Sequence, residues 1–261
     1  MNQEVIEEIK TYDKPKISII MQVYLGFYPN ARKNPRAKFK RAVESFQAQL
    51  YKNCELVIVA DGCNKTKLTY QKHFQDDPNI KFVYIDNKEN ARMYDNKEIN
   101  NKPNTYYRGM PRKIGVAMAT GELITYMDAD DYILPQHTLS IMMHYNLGKD
   151  NDWWINRTWF DHAKSKWEDS PSMYSTIGAE EHELPQFPKQ KWNKIKLKEN
   201  RITLSPWLFT HRASCTTKWR DTIGISEDVD FNKRLRDEYK KGMPYSTATY
   251  VRCHHIHKWD V

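Results

Sequence analysis

Short apolar runs of strand length recur through the first half of the chain. They are rich in β-branched and aromatic residues and nearly continuous in apolar character, which is typical of parallel strands covered on both faces. The runs are Lys16–Val23, Glu55–Ala60, Lys81–Ile85 and Glu122–Met127. They predict a sheet of mainly parallel strands.

Segments of helical periodicity lie between these runs. Two apolar sets show the spacing: Phe39, Val43, Phe46 and Leu50, and then Ile114, Ala117 and Met118 ahead of Gly121, a plausible helix stop. A further helix is predicted to begin at Pro135. Because strand and helix alternate, the predicted fold class is α/β, with a mainly parallel, Rossmann-like sheet flanked by helices. Ligands of such sheets bind beyond the carboxyl ends of the strands.

The pattern changes from about Asp150 onward, where all eight tryptophans lie. Long polar connections predominate there, and one clear helix is predicted at Glu227–Lys240, with Phe231 and Leu235 on one face. No internal repeat or linker divides the chain. We therefore predict a single domain over residues 1–261, whose second half, residues 151–261, elaborates the first, residues 14–150.

The composition is basic, with a net charge of +8 and a pI of about 9.1. This charge favours polyanionic partners such as phosphates, anionic glycans, acidic lipid headgroups or nucleic acid, although a solvated basic surface explains it equally well. No run of 18 apolar residues occurs, which predicts a soluble, cytoplasmic protein. The absence of a CxxC pair predicts free thiols at Cys54, Cys63, Cys215 and Cys253.

Three carboxylates, Asp128, Asp130 and Asp131, directly follow the fourth apolar run. Asp128 and Asp130 are two residues apart, so in an extended segment their side chains point to the same side. Hard carboxylate oxygens without neighbouring thiolates suit Mg²⁺ or Mn²⁺. The alternative is an acidic turn that ends the strand and caps the next helix.

Other polar residues fall near the predicted strand ends. Arg112 and Lys113 begin the helix before the acidic run, where a cation is unfavourable unless a bound diphosphate shares the space. Asp61 follows the second strand and could accept a hydrogen bond from a base N–H or a ribose hydroxyl. An ordinary basic helix face and an Asp-Gly turn are the respective alternatives.

Six short motifs, in order, resemble the family 2 glycosyltransferases with the GT-A fold. The motifs are ISIIMQVY, ESFQAQ, VADGC, PRKIG, MDADDYILP and SEDVDF. The resemblance covers Lys16 to Pro135 almost continuously and resumes at Ile225 to Leu235. It implies an inverting enzyme that uses a nucleotide-sugar donor and a divalent metal.

The resemblance also implies roles for individual residues. Gln22 and Asp61 would contact the nucleoside, and Arg112, with Lys113 beside it, the diphosphate. The roles implied near the reacting groups are metal binding by Asp130, ribose or metal-water contact by Asp128, and general base catalysis by Asp228, with Glu227 as its neighbour.

The remaining candidates lie in the second half. Trp207 and His211, in SPWLFTHR, are candidate acceptor-binding residues, since an indole can stack on a sugar ring; for most of the tryptophans a place in the core is the competing explanation. His254 matches the "RxH" with which the family often closes its site and is a candidate metal or phosphate ligand. A structural histidine is the alternative, and His255 and His257 stay undecided.

The sequence therefore predicts a glycosyltransferase that moves a sugar, from UDP-sugar as the expected donor, to an acceptor hydroxyl, with Mn²⁺ or Mg²⁺ as cofactor. A glycan is the expected acceptor, and peripheral membrane contact is left open. The basic charge and the Lys-rich stretch Lys189–Arg201 keep hydroxylated bases of DNA as an alternative acceptor. A second alternative is a non-catalytic module that binds nucleic acid or glycan.

Overall fold

A computed structural model describes residues 10–26, 34–86, 105–106, 109–161, 192–194, 208–215, 219–220, 222–223, 227–239 and 241–253. The strands in these ranges are β1 (Ile17–Val23), β2 (Cys54–Asp61), β3 (Ile80–Ile85), β4 (Thr105–Tyr106), β5 (Leu123–Tyr126), β6 (Tyr132–Ile133), β7 (Trp153–Asp161), β8 (Trp192–Lys194), β9 (Leu208–His211), β10 (Thr222–Ile223) and β11 (Gly242–Cys253). The helices are α1 (Pro35–Gln47), α2 (Asn64–His73), α3 (Gly109–Met118), α4 (His137–Leu147), α5 (Arg212–Cys215) and α6 (Glu227–Glu238).

Nine of the described strands form one sheet, in the order β3-β2-β1-β5-β9-β7-β11-β6, with β8 paired to β7. The four strands predicted from the apolar runs, β3, β2, β1 and β5, are all parallel to one another. Ile20 of β1 lies opposite Val57 on one side and Tyr126 on the other. The carboxyl ends of β1, β2 and β5 therefore meet at one edge of the sheet, as the sequence predicts.

Helices cover both faces of this parallel part. Alternate β1 residues, among them Ile19 and Met21, pack with Phe39 of α1 on one face, whereas Ile20 packs with Val116 of α3 on the other. The approach of α3 to the sheet is close, because a Cβ atom built on Gly115 would lie 2.4 Å from Cγ2 of Ile20. Glycine at this position lets α3 lie near the strand ends.

Two predicted helix boundaries differ from the structure. Helix α1 ends at Gln47, and Leu50 is 61% exposed instead of lying on the buried face. Beyond the helix end, the buried Gln49 amide bonds to the carbonyls of Ser45 and Leu134. Helix α4 begins at His137 rather than Pro135, whose carbonyl accepts a hydrogen bond from the Leu50 N–H at 2.8 Å.

The described strands of the second half continue the same sheet. Strand β9 pairs antiparallel to β5, and β11 runs parallel to β7 and antiparallel to β6. Because β6 directly follows the acidic run, β11 brings Tyr250 and Val251 close to that run. Within the described ranges, no helix has the length and apolar character needed to cross a membrane.

Candidate active site

The carboxylates of Asp128, Asp130 and Asp131 lie in a turn between β5 and β6. The Met127 N–H still bonds to the Ile20 carbonyl at 3.0 Å, and the Asp131 N–H then bonds back to the Asp128 carbonyl at 3.2 Å. One carboxylate oxygen from each of Asp128, Asp130 and Asp131 lies within 4.8 Å of the others. Asp128 and Asp130 are partly exposed, whereas Asp131 is buried. We call residues 128–131 the acidic turn.

The Tyr250 hydroxyl holds the acidic turn from β11. It accepts a hydrogen bond from the Asp128 N–H at 3.1 Å and donates one to Asp131 Oδ2 at 2.7 Å. Burial raises the pKa of Tyr250 well above its ordinary value, and the charges of Asp131 and Asp128 raise it further. The phenol therefore keeps its proton and acts as a hydrogen-bond donor to Asp131.

Helix α1 also holds the turn. Arg41 donates from Nη2 to the Asp130 carbonyl oxygen at 2.8 Å, and its guanidinium carbon lies 5.2 Å from the Tyr132 ring centroid. The Ser45 hydroxyl accepts a hydrogen bond from the Ile133 N–H at 3.2 Å. With its backbone held by β11 and α1, the turn presents Asp128 and Asp130 at a defined place on the sheet edge.

Arg112 connects the acidic turn to α6. Its Nη1 donates to Glu227 Oε1 at 2.7 Å, and its Nη2 lies 3.4 Å from Asp128 Oδ1. Glu227 is almost fully buried, with 4% of its side chain exposed, whereas 43% of the Asp128 side chain is exposed. The contact with Glu227 is thus short and shielded, and the contact with Asp128 is long and open to solvent.

An aromatic cluster lies against the same guanidinium. The Arg112 guanidinium carbon is 4.9 Å from the Trp219 ring centroid, a distance at which a cation is attracted to the ring face. Trp219 stacks on Phe231 of α6 at 4.1 Å and donates from Nε1 to the Tyr126 hydroxyl at 2.8 Å. The side chain of Arg112 is therefore fixed by packing as well as by charge.

Asp228 opens α6 next to Glu227, where acidic side chains are favoured by the helix dipole. Its Oδ1 accepts a hydrogen bond from the Val229 N–H at 2.8 Å, and the residue is largely buried. Two residues on, Asp230 is bound by Arg220 and Arg234, at 2.8 Å and 3.0 Å. These hydrogen bonds and charges lower the pKa of Asp230 against the opposing effect of burial. Asp230 thus anchors the first turn of α6.

The nucleoside candidates lie at the same sheet edge. Gln22 is partly buried near the end of β1, opposite Val59. Asp61 is fully buried at the end of β2, and Gly62 turns the chain there with a φ of 63°. Lys113 is exposed on α3 beside Arg112. A nucleoside or phosphate contact for these residues stays a prediction.

His211 does not join the acidic turn. It lies opposite Leu123 at the amino end of β5, whereas Asp128 follows the carboxyl end. Its ring centroid lies 5.4 Å from that of Trp154 and 5.9 Å from that of Tyr145.

Trp207 and His254 lie outside the described residues, as do His255 and His257. Trp153, Trp154 and Trp219 are buried, in agreement with the core role expected for most tryptophans. Cys54, Cys63 and Cys215 are free and buried, as predicted.

Sequence reasoning missed three residues that shape the site: Tyr250, Trp219 and Arg41. Nothing in the sequence marks Tyr250 or Arg41, because each reaches the acidic turn from a distant element. Trp219 carried a weak signal, since it lies shortly before the Glu227-Asp228 pair. Trp207 also precedes this pair, and the sequence favours it as the residue that stacks on a sugar ring.

The donor set of the acidic turn fits a hard divalent cation. Asp128 and Asp130 offer carboxylate oxygens at the surface, and in the described ranges no sulfur or imidazole joins the cluster. Asp131 gives one oxygen to Tyr250, so we regard it as the support of the turn. Beside these anions, Arg112 supplies a fixed cation. A divalent ion and a guanidinium together can bind a diphosphate.

No family model matches the chain. In sequence, it is 26% identical over 236 residues to an uncharacterised glycosyltransferase of Methanocaldococcus jannaschii, a match that covers 87% of this chain and 67% of that protein. It is 27% identical over 135 residues to GalNAc(5)-diNAcBac-PP-undecaprenol β-1,3-glucosyltransferase of Campylobacter jejuni, over 51% of this chain and 36% of the other.

Solved structures of glycosyltransferases share the fold. TarS of S. aureus, residues 1–349 in complex with UDP-GlcNAc, superposes with a TM-score of 0.60 at 17% identity, covering 94% of this chain and 60% of the other. The mannosyltransferase PcManGT of Pyrobaculum calidifontis, in complex with GDP-Man and Mn²⁺, gives 0.55 at 10% identity, over 92% and 57%. The chain has the GT-A fold. The names of both sequence relatives agree with the prediction of a glycosyltransferase. This chain spans about 60% of the TarS fragment and less of the Campylobacter enzyme.

Proposed function

We propose that this chain is a metal-dependent, inverting glycosyltransferase that takes a sugar from a nucleotide-diphosphate donor, UDP-sugar as first choice. The observation that carries the proposal is the position of Arg112 between Asp128 of the acidic turn and Glu227 of α6. It joins three motifs that are far apart in sequence at the carboxyl edge of the sheet, where α/β folds bind ligands. The UDP-GlcNAc and GDP-Man complexes of the similar structures support a nucleotide-sugar donor.

Asp130, with Asp128, would hold Mn²⁺ or Mg²⁺. The ion would neutralise charge on the departing diphosphate as a Lewis acid. Mn²⁺ in the similar mannosyltransferase structure supports this choice of cofactor. Asp131 and Tyr250 would keep the turn in place while the exposed carboxylates bind.

Arg112 would bind the diphosphate without leaving Glu227. Its long contact with Asp128 is open to solvent, so a phosphate oxygen can replace that contact at little cost. Its short contact with Glu227 is buried, and it keeps the guanidinium oriented during this exchange. Developing charge on the leaving group is thereby met by a cation that needs little reorganisation.

Asp228 would act as the general base that takes the proton of the acceptor hydroxyl. Its place in the first turn of α6, next to the Glu227 that Arg112 binds, puts it in the same neighbourhood as the leaving group. Attack opposite the departing diphosphate would invert the anomeric carbon. For the nucleoside, Gln22 and Asp61 at the ends of β1 and β2 are the proposed contacts.

A glycan is the proposed acceptor, bound by the second half with Trp207 as a stacking residue and His254 as an additional ligand of the site. The Campylobacter relative is named for a glycan acceptor, which supports this class. Glycosylation of DNA bases and a purely binding role gain no support from the relatives named above.

Donor screening tests the proposal. UDP-, GDP- and dTDP-sugars, each with Mn²⁺ or with EDTA, are assayed for thermal protection and for hydrolysis. We expect one nucleotide to protect the protein only with metal, and Asp130→Ala to abolish this binding while Asp128→Ala weakens it less. Asp76→Ala, at an exposed carboxylate before β3, is the control and should bind as the parent does.

Two results would contradict the assignment. Unchanged metal-dependent binding in Asp130→Ala would remove this residue as the metal ligand. Absence of binding by every nucleotide sugar, with the parent protein folded, would remove the donor class itself.

A further inference from the structure

A groove lined by cationic side chains lies on the face of the sheet away from Arg112. Helix α1 packs on the sheet face opposite α3, and Tyr70 and Phe74 place α2 on the same face as α1. Between α1 and α2 is a groove of about 630 Å³. Its lining residues are Leu25, Asn34, Pro35, Arg36, Ala37, Lys40, Arg41, Glu44, Lys65 and His73.

Cationic side chains dominate this groove. Arg36, Lys40, Arg41 and Lys65 face the single carboxylate of Glu44. Their charges add to the partial positive charge at the N-terminal end of α1. No acidic residue in the first turn of α1 offsets this charge. The groove therefore has a strongly positive potential, and a concave shape strengthens it by limiting access of water.

The arrangement of these cations does not stabilise the folded protein unless an anion is bound. Arg36 and Lys40 are one helical turn apart on α1, a spacing at which like charges destabilise a helix. Within the described part of the chain, Arg36, Lys40 and Lys65 form no ion pair, although Glu44 lies one turn beyond Lys40. An anion between α1 and α2 would relieve this repulsion.

His73 also lines the groove, and its pKa responds to the same cationic side chains. Desolvation lowers its pKa, and the charges of Lys40, Lys72 and Arg36 lower it further, while Glu44 opposes them. Arg41, which also lines the groove, bonds to the Asp130 carbonyl. A solvated basic helix face would show neither this concavity nor these contacts.

We infer that the groove between α1 and α2 is a binding site for the phosphate groups of a phosphate-bearing ligand, held by Arg36, Lys40 and Lys65. Its volume exceeds that of one phosphate, so it suits a diphosphate or a short run of phosphates. Its cations are distinct from the diphosphate contact proposed for the donor, because Arg112 and α3 lie on the other face of the sheet. Soluble phosphates and lipid headgroups share this chemistry.

Binding of inorganic tripolyphosphate, followed by calorimetry in EDTA, tests the inference. EDTA removes metal-bridged binding at the acidic turn. Lys40→Glu/Lys65→Glu is compared with Lys52→Glu/Lys67→Glu, a control that makes the same charge change at two exposed lysines outside the groove lining. We expect at least a tenfold loss of affinity in the groove variant and less than a twofold loss in the control, with binding weakened by added salt.

Vesicles identify the source of the phosphate. Cosedimentation uses phosphatidylcholine alone or mixed with phosphatidylglycerol. Binding to the mixed vesicles that the groove variant loses assigns the site to lipid headgroups, and tripolyphosphate binding without vesicle binding assigns it to soluble phosphates. Equal losses in both variants, no binding of either probe, or groove-dependent binding of duplex DNA alone would overturn the inference. None of these readouts uses a nucleotide sugar, so the outcome is independent of the proposed transferase activity.

Discussion

The Arg112 guanidinium donates to the buried Glu227 carboxylate at 2.7 Å, and this contact joins α3 to α6. The two residues are 115 positions apart in sequence. The side chains of both residues are largely buried, so water screens this ion pair little. The pair thus joins the start of α6 to the sheet edge that carries the acidic turn.

Arg112→Ala should destabilise the protein strongly, since it leaves the Glu227 carboxylate buried without its cation. We expect a loss of about 3 kcal/mol in the free energy of unfolding, measured by urea denaturation. Arg220→Ala is the control: the Arg220 side chain is largely exposed and Asp230 keeps Arg234, so its loss should stay below about 1 kcal/mol. Equal effects would show that the Arg112–Glu227 pair is no stronger than a surface pair.

Tyr250→Phe should weaken metal binding at the acidic turn. The change removes the hydroxyl that bridges the Asp128 N–H and Asp131 Oδ2 and leaves the ring in place. We expect Mn²⁺ affinity, measured by calorimetry, to fall about tenfold, as for other groups that orient metal ligands. Tyr126→Phe is the control, because it removes a buried hydroxyl that is bound to Trp219 and not to a residue of the acidic turn. If both variants lose stability but neither loses Mn²⁺ affinity, Tyr250 has a structural role alone.

Asp228→Asn should abolish most turnover while leaving donor binding nearly intact. The amide keeps the shape and much of the capping capacity of aspartate but cannot take a proton. Loss of a general base lowers turnover by roughly 10² to 10⁴. Asp237→Asn, at an exposed carboxylate of the same helix, should be silent. If Asp228→Asn binds donor and transfers sugar at the parental rate, the base lies elsewhere, and Glu227 is the next residue to test.

Glu55 should make stability depend on pH in the acid range. Burial alone would raise its pKa, but hydrogen bonds from Ser18, Thr120, Lys81 and Lys16 outweigh burial and lower the pKa from 4.5 to about 2. A lowered pKa in the folded state gives stability that is complete above pH 4.5 and is lost as the pH falls toward 2.

Urea denaturation of the parent and Glu55→Gln between pH 7 and pH 2 measures this effect. The parent should be more stable by up to about 3 kcal/mol at pH 7, and the difference should shrink steadily below pH 4.5. Asp13→Asn, at an exposed carboxylate paired with Lys149, is the control and should change the free energy of unfolding by less than about 1 kcal/mol at pH 7. A pH-independent difference for Glu55→Gln would refute the linkage.

The sequence by itself determined the parallel half of the fold and the place of the acidic turn. Local patterns suffice there, because β-branched runs without alternation form strands covered on both faces. In such a sheet the residues after each strand meet at one edge, so Gln22, Asp61 and Asp128 could be assigned to it without coordinates. The start of α6 was predicted equally well, since Phe231 and Leu235 repeat at helical spacing and are fully buried.

Only the tertiary structure decided what surrounds these residues. The contacts of Tyr250 with Asp131, of Arg41 with Asp130, and of Trp219 with Arg112 join elements far apart in the chain. No local periodicity encodes them. The same reason explains the errors at Leu50 and Pro135, where the residues just after α1 bond to those just before α4. His211 was set apart from the acidic turn by the antiparallel register of β9 on β5, because register follows from packing of the whole sheet.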